Sequence, residues 1–132
     1  MEKNTKFELI TPSKIVVQQE VEMIVIPGSE GYFGVLPLHA NTLSTLNRGI
    51  VTLYENDNVA NKIIVDGGIA DVQTNSCILL VEKAEILDNI DKTLIEGRYQ
   101  AAKEQANNVN NDTEKKALLD EVSWLKFVLE CI

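Results

Sequence analysis

His39 is the single histidine of the 132-residue sequence, and an imidazole is the usual general base near neutral pH. It stands in a loop segment, Leu38-His39-Ala40, with no Cys or Asp beside it to complete a catalytic arrangement. Asp66 and Asp71 bracket Gly67-Gly68 and would suit a carboxylate pair for glycoside hydrolysis. Asp at a turn, however, commonly bonds its own backbone. Gly28, Gly31 and Gly34 invite comparison with a phosphate loop, but such a loop ends in Gly-Lys-Ser/Thr and opens a helix. Here Gly34 runs into Val35-Leu36-Pro37, so turn and bulge roles are expected. Cys77 and Cys131 lie too far apart for a metal motif or a disulfide framework. Cys77, within an apolar run, is expected to behave as a small buried hydrophobe. No enzyme emerges from these residues, and neither a metal nor a cofactor is expected.

The charge balance excludes further classes. Twelve Lys and Arg against 20 Asp and Glu leave a net charge of −8. Phosphate recognition needs concentrated positive charge, so nucleic acid is not the expected partner. A polybasic membrane anchor is equally disfavoured. No apolar run approaches the ~18 residues of a membrane span, and runs such as Cys77–Val81 have strand length. Met1-Glu2-Lys3-Asn4 leads into no signal-like stretch, so the expectation is a soluble intracellular protein without direct membrane insertion.

All three prolines and six of the seven glycines precede residue 87, which places β structure first and helix last. The β-type runs are Lys6–Thr11, Lys14–Val21, Glu22–Ile26, Tyr32–Leu36, Gly49–Glu55, Lys62–Asp66, Ile69–Gln73, Ser76–Val81 and Lys83–Ile86. Turn signals separate them, among them Pro27-Gly28-Ser29, Asn56-Asp57-Asn58 and Asp66-Gly67-Gly68. Many short strands at close spacing suit a sandwich or a barrel.

From about Asp91 to Asn107 the period becomes helical, with Leu94, Ala101 and Ala102 near one face and Gly97 inside. A polar break, Asn107–Asp112, follows, and Asn111 with Glu114 resembles a capping box. The second helix carries Leu118, Val122, Leu125 and Leu129 at steps of 4, 3 and 4. The short link predicts an antiparallel hairpin. Trp124, Phe127 and Val128 widen its apolar face beyond what an Ala-rich partner covers, so the β part or another chain should cover the rest. Arg98, Lys103, Lys115, Lys116 and Lys126 are spread over this hairpin, as a solvated face or as a contact to an acidic partner.

The segment Val25-Ile26-Pro27-Gly28-Ser29-Glu30-Gly31-Tyr32-Phe33-Gly34-Val35-Leu36-Pro37-Leu38-His39-Ala40 resembles the P-G-x-E-G-x-F-G-x-L-P-x-H-A signature of the epsilon subunit of rotary (F-type) ATP synthases. Leu46-Asn47-Arg48-Gly49-Ile50-Val51 and Val65-Asp66-Gly67-Gly68-Ile69-Ala70-Asp71-Val72 resemble two further family features, in order. The resemblance implies a mainly β plus α fold: an N-terminal β-sandwich docking domain over residues 1–87, then a C-terminal antiparallel two-helix hairpin over 88–132. It also implies a non-catalytic rotor subunit of the proton-translocating enzyme, coupling c-ring rotation to ATP synthesis and restraining hydrolysis through the hairpin. Glu30 and Gly31 map to the loop facing the c-ring, and His39 lies close to the gamma contact. The hairpin is implied to reach the catalytic alpha and beta subunits. The implied location is peripheral, on the cytoplasmic face of the bacterial inner membrane.

Some members of that family bind ATP through an I/L-D-x-x-R-A motif at the start of the first helix. Ile90-Asp91-Lys92-Thr93-Leu94-Ile95 keeps Asp91 but has Leu94 and Ile95 in place of Arg and Ala. Without the Arg, a charge-assisted contact to phosphate is gone, so ATP binding is expected to be weak or absent. Two rival readings stand beside the rotor subunit: a free-standing β-sandwich ligand-binding module with a helical tail, and a small hydrolase using Asp66, Asp71 or His39.

Overall fold

In β1 (Thr5–Ile10), Thr5, Phe7 and Leu9 point into a core while Lys6, Glu8 and Ile10 point outward. This period of two is what a pleated strand with one buried face requires. The computed structural model describes residues 4–132. After β1 come β2 (Ile15–Val21), β3 (Met23–Gly28), β4 (Gly31–Val35), β5 (Thr42–Leu46) and β6 (Gly49–Glu55). Then follow β7 (Asn58–Val65), β8 (Gly68–Val72), β9 (Ser76–Val81) and β10 (Ala84–Ile86). A short 3-10 turn, Leu87–Asn89, precedes α1 (Lys92–Asn108) and α2 (Asp112–Cys131). The chain divides into two compact units, one through Asp88 and one from Asn89 to Ile132.

The strands form one continuous sheet in the order β10-β7-β6-β3-β5-β8-β9-β1-β2, with β4 paired to β3. Every pairing is antiparallel except β1 with β9. The sheet folds over until β2 lies near β6, making a sandwich. Phe7, Leu9, Ile24, Leu53, Ile63 and Leu79 are fully buried between the layers.

Two departures from the sequence reading have simple causes. β5 was not expected, because Thr-Leu-Ser-Thr-Leu has weak apolar patterning, yet all five residues pair with β8. β7 starts at Asn58, four residues before the expected run. Its polar start is held by the two-residue turn Asn56-Asp57, both at positive φ (52° and 64°), the geometry that matches strand twist in tight hairpins.

In the helical unit, Asp91 caps α1 by accepting hydrogen bonds from the Thr93 and Leu94 amides (3.0 and 3.3 Å). Asn111 caps α2 in the same way, through the Thr113 and Glu114 amides (2.8 and 3.2 Å). Each such cap contributes about 1 kcal/mol. The inner face of α1 differs from the expected one. Leu94 is 66 % exposed and Ala101 is exposed, while Ile95, Ala102 and Ala106 are buried and Tyr99 half-buried. That stripe, 95-99-102-106, has the same 4-3-4 steps as Leu118, Val122, Leu125 and Leu129 of α2. In α2 the structure buries Trp124, Leu125 and Val128, while Leu118, Val122 and Leu129 of the expected stripe are half-buried. Arg98 bridges to Glu121 across the pair at 3.0 Å.

Two substitutions test this account. The Thr5 hydroxyl is fully buried with no hydrogen-bond partner among the described residues. Thr5→Val should therefore raise stability by about 1 kcal/mol, read as a higher denaturation midpoint. Gly68 has φ +140°, and a Cβ there would sit 2.0 Å from the Leu80 carbonyl oxygen. Gly68→Ala should cost about 3 kcal/mol and expose β8 and β9 amides to hydrogen exchange.

Candidate functional site

The segment from Val25 to Ala40 folds as a hairpin and the loop that follows it. β3 and β4 pair from Ile24↔Val35 to Gly28↔Gly31, leaving Ser29-Glu30 as the connection. Pro27 has no amide hydrogen to give, but its carbonyl accepts from the Asn47 amide at 2.8 Å. The Ser29 amide donates to the Thr45 carbonyl at 2.9 Å, and the Ile50 amide donates to the Tyr32 hydroxyl at 3.1 Å. The hairpin tip is thereby fastened to the β5–β6 turn, with Glu30 exposed at its end. Gly31 has open space where a side chain would begin, but its φ of +121° disfavours any L residue. A bulky residue at Gly31 would thus strain the backbone as well as alter the surface, which makes Glu30 the cleaner probe of the tip.

His39 lies at the other end of β4. Its amide donates to the Leu36 carbonyl (3.2 Å), and its Nδ1 donates to the Ala40 carbonyl (2.6 Å). The Leu38 amide donates to the Thr74 carbonyl at 2.8 Å, tying this loop to the β8–β9 turn. Five residues of β4 separate Glu30 from the start of the loop, about 17 Å at strand rise. Glu30 and Gly31 therefore form one surface and His39 belongs to another. They do not converge on a common point.

The candidate catalytic carboxylates are otherwise engaged. Asp66 accepts from Arg48 Nε at 2.9 Å, joining the β7–β8 turn to the β5–β6 turn, rather than bonding its own backbone. With both side chains partly exposed, this pair contributes about 1 kcal/mol or less. Asp71 accepts from Gln73 Nε2 at 2.9 Å. Gly68 pairs with Leu46 at one end of β8 and Val72 with Thr42 at the other, so Asp66 and His39 sit at opposite ends of that ladder. Burial, reinforced by the charge of Asp71, pushes the Cys77 thiol up to about 12, and burial then Glu130 raise that of Cys131. Neither is a thiolate nucleophile at neutral pH. Among the described residues no group of His, Cys, Asp and Glu is placed to hold a metal ion. Gly28 and Gly34 lie in strands, not at a helix start. Asp91 is occupied as the cap of α1, beside an exposed Leu94 and a buried Ile95.

Sequence reading passed over a set of large apolar side chains on strands that stay exposed, among them Ile15, Leu43, Ile69 and Leu80. The signal lay in runs such as Ser76–Val81, where both alternating positions are apolar although only one face can be inside. No helix among the described residues is long and apolar enough to cross a membrane.

Comparison with known proteins gives a consistent answer. Residues 4–87 match the family described as ATP synthase, Delta/Epsilon chain, beta-sandwich domain. The ATP synthase epsilon chain of Rhodospirillum rubrum is 35 % identical over 115 residues, covering 87 % of this chain and 86 % of the relative. That of Rhodospirillum centenum is 37 % identical, covering 86 % and 81 %, and that of Parvibaculum lavamentivorans 30 %, covering 96 % of each. Among solved structures, a chain of the Euglena gracilis mitochondrial ATP synthase OSCP/F1/c-ring assembly matches with a TM-score of 0.68 and 20 % identity, covering 99 % of this chain and 82 % of that one. A chain of the Tetrahymena thermophila mitochondrial central stalk/c-ring assembly matches with a TM-score of 0.57 and 17 % identity, covering 98 % and 96 %. These two establish likeness of fold. Taken with the sequence relatives and the β-sandwich followed by two helices, they leave one assignment: the chain belongs to the ATP synthase epsilon chain family.

Proposed function

We propose that the chain is a non-catalytic central-stalk subunit that couples c-ring rotation to ATP synthesis, docking on gamma and the c-ring through the β-sandwich. The observation that carries this reading is the fastened hairpin tip. Glu30 projects from a turn whose flanking backbone is tied to β5 and the β5–β6 turn, so a load applied there passes into the sheet. Torque transmission asks for stiffness and shape, and close-packed interiors supply both. In this reading Glu30 and Gly31 meet the ring, and the loop with His39 lies by gamma, about a strand's length away. The helical unit, with its caps and its own packed stripe, is the regulatory part that restrains hydrolysis, reaching toward the catalytic alpha and beta subunits. The chain works at the cytoplasmic face of the bacterial inner membrane without inserting into it. ATP binding has no place in it, because Asp91 is committed to the helix cap and no Arg follows at position 94.

Reconstitution with the cognate catalytic core tests the division of labour. A chain ending at residue 87 should bind gamma as the full chain does but no longer restrain ATP hydrolysis. Loss of gamma binding by a folded truncated chain would overturn the assignment of docking to the β unit. A second measurement addresses the tip: Glu30→Lys should lower ATP-driven proton pumping while leaving the thermal midpoint within about 1 °C, since surface changes seldom move stability. Unchanged pumping would remove Glu30 from the ring contact.

A further inference from the structure

Gly49 is buried at the head of β6, and its φ lies outside the left-handed region that otherwise calls for glycine. Close approach explains it instead. A Cβ at this position would stand 2.6 Å from the Tyr32 hydroxyl and 2.7 Å from Pro27 Cβ. Tyr32 pairs with Pro27 across the β3–β4 ladder, so the two side chains project from the same face. From there Tyr32 reaches past β3 to β6, where its hydroxyl accepts a hydrogen bond from the Ile50 amide at 3.1 Å. The ladder explains why that amide needs a side-chain acceptor. β3 pairs with β6 from Met23↔Tyr54 to Val25↔Thr52, and the pairing stops there. The same register, continued, would bring Ile50 opposite Pro27. The Pro27 carbonyl, however, accepts the Asn47 amide at 2.8 Å. Ile50 is left with a donor that β3 does not satisfy, and a backbone amide needs a polar partner. The Tyr32 hydroxyl supplies it.

We propose that Tyr32 is a positioning residue for the c-ring contact: bonded to the Ile50 amide across the gap that Gly49 keeps open, it fixes the direction in which the hairpin tip presents Glu30. This role rests on the reading that Glu30 meets the c-ring. β4 lies off the path of the main sheet and pairs with β3. Pro27 and Ser29, at the end of β3 and in the connection, are tied to Asn47 and Thr45. Tyr32 adds a tie from the β4 arm to β6, next to Gly31 at the tip. Ties on both arms oppose rotation of the hairpin about its long axis, a freedom that ties on one arm leave open. Tyr32 is 59 % exposed, so losing its hydroxyl takes little from the core. The loss falls on alignment instead, and a contact held loosely by about 1 Å already works poorly.

Tyr32→Phe removes the hydroxyl and keeps the aromatic ring. In the full chain it should speed hydrogen exchange of the Ile50 amide about fivefold, the equivalent of one net hydrogen bond, and hold the thermal midpoint within about 1 °C. In the synthase reconstituted into vesicles, protons pumped per ATP hydrolysed should fall about twofold or more. Tyr32→Phe placed on Glu30→Lys should add no further loss, because a residue that acts through Glu30 then has nothing to aim. Full pumping by Tyr32→Phe would overturn the role, as would unchanged exchange at Ile50. A loss that multiplies with that of Glu30→Lys, or a midpoint that falls in step with pumping, would overturn it as well, leaving Tyr32 a part of the sheet alone. If Glu30→Lys itself leaves pumping intact, the c-ring reading fails. If Glu30→Lys lowers pumping and Tyr32→Phe does not, positioning by Tyr32 fails by itself.

Discussion

The parallel pairing of β1 with β9 is the contact on which the β unit depends. Lys6 through Ile10 align with Ser76 through Leu80, joining the first strand of the chain to nearly the last of the sheet. Without it, β1 and β2 would be a lone two-stranded hairpin, which has little stability in water. Phe7 and Leu9 would lose Cys77 and Leu79 as ladder neighbours, and the core would open on one side. The pairing also has a kinetic consequence. Contacts between residues some 70 positions apart close late, after the loop entropy of the intervening meander has been offset by local hairpins. The β6–β7 and β3–β4 hairpins, with tight turns at Asn56-Asp57 and Ser29-Glu30, are the local structures best suited to form first.

Much of this arrangement is legible in the chain. The apolar runs at Gly49–Glu55 and Ser76–Val81 coincide with β6 and β9 residue for residue, because turn signals bound them closely. The cap Asn111 is readable as a short acceptor side chain before a helical run, whereas Asp91, expected as a residue of an ATP motif, turns out to be the cap of α1. What escaped was decided by partners rather than by local pattern. β5 exists because β8 offers five ladder positions, and Thr, Ser and Leu in it carry no strong preference of their own. The inner face of α1 keeps Ala102 of the expected set but turns Ile95 inward in place of Leu94. Leu94 is the more apolar residue by type, yet the stripe through Ile95, Tyr99, Ala102 and Ala106 is the one that repeats. Small residues mark a helix seam weakly in sequence, since an Ala looks the same on either face.

The candidate residues show a similar limit. The signature places Glu30, Gly31 and His39 within ten positions of one another, although the resemblance assigns them to two different contacts. A strand between them converts that proximity into separation, because an extended chain covers about 3.3 Å per residue. Asp66 and Asp71 make the opposite point. They look like a pair in sequence, but Asp66 is held by Arg48 and Asp71 by Gln73, and each serves the geometry of its own turn or strand. The polar residues that a search for catalysis would select are thus spent on holding turns in place.

That distribution has a physical logic for a part proposed to carry load. A catalytic pocket needs unsatisfied polar groups, mobile loops or strained backbone, and each lowers local stability. Here the turns are braced instead: Pro27 to Asn47, Ser29 to Thr45, Leu38 to Thr74, and Arg48 to Asp66. Four cross-links among neighbouring turns hold the ends of the sheet, so displacement at one loop is opposed by its neighbour before it reaches the core. Apolar area is left on the surface, where Ile15, Ile69 and Leu80 remain in water. Exposed apolar rows on a sheet are a liability in a free monomer, tolerated at Ile69 and Leu80 because the interior strands β8 and β9 leave no backbone for chance pairing, while Ile15 stands on the end strand β2. Stiff turns and an exposed apolar face are complementary properties: the first preserves the shape that the second presents, since a surface that bends would lose the alignment of its rows across four strands.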